Sequence, residues 1–207
     1  MKIALTGASG FLGSALAHFL FRERNTLTVL GRRPGALPPA VSFHPWDAIS
    51  GAPAREALDG AQAVIHLAGT PVAQRWSAEV KRSIRESRVI GTRNLVSSLL
   101  RLEHPPEVLV SASAIGIYGS RGDEALTEDS APGTGFLAEV CQEWEEEAQR
   151  ASQAGIRVVA FRIGIVLGRG GGALKAMLPP FRMGLGGPLG GGNQWMAWIH
   201  VDDITGL

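Results

Sequence analysis

Cysteine, tyrosine and lysine are almost missing from these 207 residues, which hold one cysteine, one tyrosine and three lysines. A lone Cys141 closes no internal disulfide and builds no cysteine-based zinc site. Charge of one sign is lacking too. Twenty basic against nineteen acidic residues leave a net charge of +1, so no broad field favours nucleic acid as a partner. No apolar run approaches the roughly 20 residues of a bilayer span, so no membrane partner is expected. Met1 to Leu5 turns glycine-rich at once, unlike a secretory signal. The expected compartment is the cytoplasm or an organelle matrix. His44, His66 and His200 have no second histidine at ligand spacing, so structural or capping roles are expected of them and no metal.

What is present is unevenly spread. Residues 75–93 hold six basic side chains (Arg75, Lys81, Arg82, Arg85, Arg88, Arg93) and two acids, while residues 123–147 hold nine of the nineteen acids. These runs read as two solvated helix faces, or part of the basic one serves an anionic ligand. Ten of the 27 glycines fall between Gly168 and Gly192, interleaved with Leu174, Met177, Leu178, Phe181 and Leu185. That density suggests a packed, mobile loop region. Trp195 and Trp198 flank Met196 there, either as pocket lining or as core.

Short apolar runs at 2–6, 27–30, 63–67, 108–111 and 156–161 read as buried strands. Helical periodicity occupies Phe11–Arg22, Val80–Leu99 (Val80, Ile84, Ser87, Gly91, Leu95, Leu99) and Phe136–Ala154. Apolar strands alternating with helices predict a doubly wound α/β domain of Rossmann type, with a parallel sheet covered on both faces.

Between the first strand and helix stands Thr6-Gly7-Ala8-Ser9-Gly10-Phe11-Leu12-Gly13. A dinucleotide needs a tight turn there, close backbone approach to its pyrophosphate, and a helix start with free N–H groups. Strand two ends Leu30-Gly31-Arg32-Arg33, with no acid before Asp47 to hold a ribose 2′-hydroxyl. Two guanidiniums suit a 2′-phosphate, which predicts NADP rather than NAD.

Further segments carry a family likeness. They are His66-Leu67-Ala68-Gly69, Arg88-Val89-Ile90-Gly91-Thr92-Arg93-Asn94-Leu95, Ser111 to Gly119 around Ile115-Gly116-Ile117-Tyr118, and Trp198-Ile199-His200-Val201-Asp202-Asp203. With the glycine loop, Gly168–Ala173 and Gly184–Gly190, they resemble the extended short-chain dehydrogenase/reductases, in particular an atypical, epimerase-like subgroup of unknown substrate. The resemblance implies a Rossmann-type domain over 1–167 and the start of a small C-terminal substrate lobe over 168–207, cut short at Leu207. It implies a cofactor set of Gly7, Ser9, Gly10, Phe11, Leu12, Gly13, Gly31, Arg32, Arg33, Leu67, Ala68, Gly69, Arg88, Arg93 and Ile165. Of the two helix arginines, five residues apart, Arg88 is expected nearer the cofactor and Arg93 to contribute more weakly.

The chemistry of active members does not carry over. They use a tyrosine with a lysine four residues on, because a phenol is a poor base near neutrality without a cation beside it. The pattern sets Leu137 at the tyrosine, Cys141 at the lysine and Arg88 at a helix asparagine, while the serine is kept as Ser113 or Ser111. Cys141, among acids, reads as a small core residue. Ser113 and Tyr118 are the remaining catalytic candidates, with Arg88 as a cation for Tyr118, although Tyr118 also reads as a packing residue. Two functions stay open. One is hydride transfer on a sugar-nucleotide or other carbonyl/hydroxyl substrate. The other is a catalytically silent NADP-binding module that reports cofactor level or binds a partner. A homodimer is also expected, from an apolar face left uncovered.

Overall fold

The computed structural model describes residues 1–188 and 190–207; Leu189, in the second glycine segment, lies outside the described residues. Six strands, β1 (Lys2–Thr6), β2 (Thr26–Gly31), β3 (Ser42–Pro45), β4 (Ala63–His66), β5 (Val108–Ala114) and β6 (Arg157–Ile163), form one sheet. Its order is β3-β2-β1-β4-β5-β6 and every pairing is parallel. The doubly wound Rossmann-type expectation is met.

Strand alternation sends neighbouring residues to opposite faces, and each face has its own core. Ile3, Leu5, Leu27 and Val29 pack with Ala17 of α1 (Phe11–Arg22). Ala4, Leu30, Val64 and Leu109 pack with Leu95, Val96 and Leu99 of α2 (Ala78–Leu99) and Ala148 of α3 (Phe136–Gln149). The third helix ends earlier than its periodicity predicts, because Arg150–Ala154 tightens into a 3-10 turn before the left-handed Gly155. One strand was not foreseen: β3, Ser-Phe-His-Pro, is too short and polar to show an apolar run.

The two charged runs meet each other. Arg85 pairs with Glu143, and Arg93 with Glu147 at 2.6 Å, which stitches α2 to α3 through partly solvated ion pairs. Beyond the sheet, β7 (Ile165–Leu167) pairs in parallel with β8 (Trp198–His200), and α5 (Val201–Gly206) packs back on α1. His200 caps α5 by accepting from the Asp202 amide, the capping role expected of it. The glycine-rich stretch expected as loop contains a helix, α4 (Gly172–Arg182), which keeps Pro179 and Pro180 in its second half. Nor is that stretch packed: Phe181, Met183, Leu185, Trp195 and Trp198 are exposed, so the two tryptophans are not core. No helix among the described residues is long and apolar enough to cross a membrane.

Candidate functional site

A cleft of about 330 Å³ opens where the strand order reverses, between β1 and β4. At such a switch point the connections leave in opposite directions and part the loops that follow the strands. Its walls are the residues just after four strands (Gly7, Ser9 and Gly10; Gly31, Arg32 and Arg33; Trp46 to Ile49; and Leu67 to Pro71) together with Ser83, Glu86 and Ser87 of α2. Nine of the expected cofactor residues are thereby brought together.

The glycine loop is shaped by contacts that a side chain would destroy. Gly7 has φ +77°, and a Cβ on it would stand 2.7 Å from the Leu67 carbonyl. A Cβ on Gly13 would strike the Gly7 backbone, so this glycine seats α1 against the loop and does not line the cleft. Helix α1 begins after Gly10 with no side-chain cap and no acid in its first turn. Its leading amides, including those of Phe11 and Leu12, are therefore left for an anionic ligand. The Phe11 ring turns to the 168–172 glycines, so only its backbone faces that task. Arg32 and Arg33 are exposed at the rim, and among the described residues no acid pairs with either. Asp47, the first acid after β2, spends its carboxylate on the Ile49 amide and the Ser50 hydroxyl.

Under the cleft floor lies a buried polar chain. Thr6 Oγ1 accepts from the Leu67 and Ala68 amides at 3.2 Å, so its own hydrogen goes to His66 Nδ1 at 2.7 Å. The His66 Nε2–H then donates to Thr92 Oγ1 on α2 at 3.0 Å. Full burial lowers the His66 pKa to about 4, keeping the ring neutral. The expected structural role of His66 is met, and it fixes the floor's position.

Arg93 and Ile165 are not brought to the cleft. Arg93 is held by Glu147 on the α3 side, and Ile165 opens β7 with its amide on the Ala197 carbonyl. Arg88 lies behind Gly69, donating to the Thr70 carbonyl at 3.0 Å.

Ser113 and Tyr118 are buried and belong to a different cluster. Ser113 Oγ donates to Glu145 Oε1, and both Glu145 oxygens accept from Arg162 at 3.0 and 2.9 Å. Arg162 Nη1 donates to Tyr118 Oη at 2.8 Å, and the guanidinium lies 5.3 Å from that ring's centroid. The cation beside Tyr118 is therefore Arg162, not Arg88 as the sequence suggested. Burial works against the Glu145 carboxylate, yet hydrogen bonds from Arg162 and Ser113 outweigh it and hold its pKa low. Burial pushes the Cys141 thiol up, with Arg88 pulling the other way; Cys141 packs on Ile117 and Tyr118 as a core residue. Sequence reading missed Glu145 and Arg162. The available signal was an arginine inside an otherwise apolar strand, which demands a buried acid nearby. It also missed Trp46 to Ile49, which follow the unforeseen β3.

Residues 3–206 match the model of the NAD dependent epimerase/dehydratase family. The chain belongs to this family. The "Epimerase family protein SDR39U1 homolog, chloroplastic" of Arabidopsis thaliana is 41% identical over 212 residues, covering all of this chain and 61% of the relative. The chain thus spans less than two thirds of that relative's length. Among solved structures, human epimerase family protein SDR39U1 (isoform 2) with NADPH is 32% identical with a TM-score of 0.84, covering 100% of this chain and 68% of that one. The nucleoside-diphosphate sugar epimerase from Corynebacterium glutamicum is 38% identical with a TM-score of 0.82, covering 99% of this chain and 42% of that one. Among the epimerase family's branches, the likeness to SDR39U1 proteins bears out the atypical short-chain dehydrogenase/reductase assignment drawn from the motifs.

Proposed function

We propose that this chain is the NADP-binding part of an epimerase-like oxidoreductase that acts on a carbonyl or hydroxyl substrate. The observation that carries the reading is the pair Arg32 and Arg33, unmatched by any acid among the described residues, at the rim of a cleft whose other end is an uncapped helix start. That arrangement suits a pyrophosphate on the leading amides of α1 and a 2′-phosphate on the arginine pair. The human relative solved with NADPH supports this choice, and the likeness to the nucleoside-diphosphate sugar epimerase of Corynebacterium glutamicum supports a sugar nucleotide as the substrate. The nicotinamide, when bound, supplies or accepts a hydride. Gly31 leaves the adenosine side open, while the floor of Leu67 and Ala68, tied to Thr6, holds the cofactor's position. Ser113 has its hydrogen committed to Glu145, so toward a substrate hydroxyl it can only accept. Tyr118 keeps its own hydrogen to give, since Arg162 donates to its oxygen.

The silent NADP-binding module remains as a second reading, favoured by the burial of both catalytic candidates. Affinity and turnover separate the claims. NADPH is expected to bind more tightly than NADH, and Arg32→Ala to lose roughly 1–3 kcal/mol of that preference. Equal affinities in the unaltered chain would sink the NADP reading. NADPH oxidation against a panel of carbonyl compounds and sugar nucleotides decides between enzyme and silent module.

A further inference from the structure

Beside the phosphate end of the cleft, the loop after β3 and helix α2 come together and then part. Asn94 Nδ2 donates to the Ala48 carbonyl at 2.7 Å, and a Cβ on Gly91 would stand 3.0 Å from the Ala48 Cβ. Loop and helix are clamped at that level. Nearer the start of α2 they separate, and Ser83, Glu86 and Ser87 line the cleft together with Trp46 to Ile49. Most polar groups of this slot are already committed. Ser87 Oγ accepts from the Thr70 amide at 2.9 Å and donates to the Ile84 carbonyl at 3.1 Å. The Ser83 and Thr70 hydroxyls bond to each other at 3.0 Å, and the Trp46 indole N–H donates to the Gly51 carbonyl. The Asp47 carboxylate is spent on the Ile49 amide and the Ser50 hydroxyl. Glu86 is not committed. It is half-buried, and among the described residues no donor or cation pairs with its carboxylate.

A carboxylate lining a cleft for a polyanion is unfavourable unless the ligand brings a donor to it. The order of groups along the cleft says which donor. With the pyrophosphate on the leading amides of α1 and the 2′-phosphate on Arg32 and Arg33, the base on that same ribose lies further outward. The next strand outward from β2 is β3, so the base reaches the loop that follows it. Ala48 and Ile49 offer apolar surface there for a planar ring, and Glu86 offers an acceptor. Adenine carries an exocyclic amine that can donate; hypoxanthine has a carbonyl oxygen in its place. We infer that Glu86 reads the adenine base by accepting from its exocyclic amine, and so discriminates against a dinucleotide with a carbonyl there. This role rests on the dinucleotide reading of the cleft but not on the 2′-phosphate.

The test measures affinity by calorimetry for NADPH and its hypoxanthine counterpart, and for NADH and its hypoxanthine counterpart. Wild type, Glu86→Gln and Glu86→Ala are compared, each with a ligand-free melt. Wild type should prefer adenine by roughly tenfold, the scale of one hydrogen bond to a charged group. In Glu86→Gln the amide can turn either its oxygen or its NH₂ to the base, so the preference should shrink to about twofold or less. Glu86→Ala should lose it as well. Melting temperatures should hardly move, because Glu86 has no internal partner; where Glu86→Ala melts lower, the equal-sized Glu86→Gln carries the comparison. Equal affinity of wild type for NADPH and its hypoxanthine counterpart overturns the proposal and leaves the dinucleotide reading intact. An adenine preference that survives in both variants also overturns it, since another group then reads the base. So does a loss in the variants that is equal for both bases, which moves Glu86 to a ribose hydroxyl. If wild type binds NADH more tightly than NADPH yet prefers adenine in both pairs, the NADP reading falls and the role of Glu86 stands. Failure of wild type to bind any of the four removes both.

Discussion

Along the β1–β2 end of the sheet's carboxyl edge, polar groups are left without partners: the leading amides of α1, Arg32 and Arg33. Along the β5–β6 end they are matched, from Ser113 through Glu145 and Arg162 to Tyr118. Donors and cations at a cleft that lack internal partners stay ready for a ligand, whereas a satisfied buried network holds elements together. One end is thus left open to an anionic ligand, and the other is organised as structure first. Arg88 is the exception, an unmatched charge near the matched network.

The largest expected effect breaks the open end. Gly10 has an ordinary φ of −83°, and a Cβ there meets only the Gly7 carbonyl oxygen, at 3.3 Å. Gly10→Val should therefore fold, yet lose at least roughly a hundredfold in NADPH affinity, about 3 kcal/mol, because its methyls project where the pyrophosphate belongs. Calorimetry on a variant with unchanged circular dichroism reads this, and retained affinity would reduce the loop to a turn.

The floor between the two ends gives a pH signature of similar size. The folded-state pKa of His66, about 4, lies below its unfolded value near 6.5. Between those values the unfolded chain takes up a proton that the folded chain refuses, so stability falls as pH drops from about 6.5 to 4. The total is about 3 kcal/mol. Glu145 adds a separate loss lower down. Its carboxylate is held below the usual range, so its contribution is present above about pH 4.3 and disappears as pH falls through the folded value. Urea unfolding of wild type and His66→Gln across this range separates the two, and a profile of His66→Gln as steep as wild type above pH 5 would remove His66 as the cause.

The remaining effects, ending with the smallest, sharpen the matched end. Glu145→Gln strips the countercharge from Arg162 and should cost roughly 2–4 kcal/mol of stability. Tyr118→Phe removes one partner of Arg162 and should cost about 1 kcal/mol. Both should leave NADPH affinity within about twofold, which fluorescence titration checks. A larger affinity loss in either variant would mean that the two ends are coupled.

Much of the open end was legible because its signals are local. A tight turn needs Gly7, a close helix start needs Gly13, and the sign of the charge after β2 stands in two adjacent residues. The matched end was less legible because its partners are distant in sequence: Ser113, Glu145 and Arg162 come from three elements. Resemblance named Ser113 and Arg88 but gave Tyr118 the wrong cation, and it implied a cofactor role for Arg93, whose charge is spent on α3. The short polar β3 hid the lining of Trp46 to Ile49, and glycine density hid α4.

By itself the sequence determined the class of fold, through apolar runs alternating with helical periodicity, and the place of the phosphate loop, since both are properties of neighbouring residues. Only the tertiary structure decided which charges are cancelled. Arg85, Arg88, Arg93 and Arg162 look alike along the chain, yet three meet carboxylates across helix and strand and Arg88 does not. Whether a charge is matched depends on which elements the sheet order brings side by side, because an ion pair needs its partners within about 4 Å in space, a distance that spacing along a chain does not record.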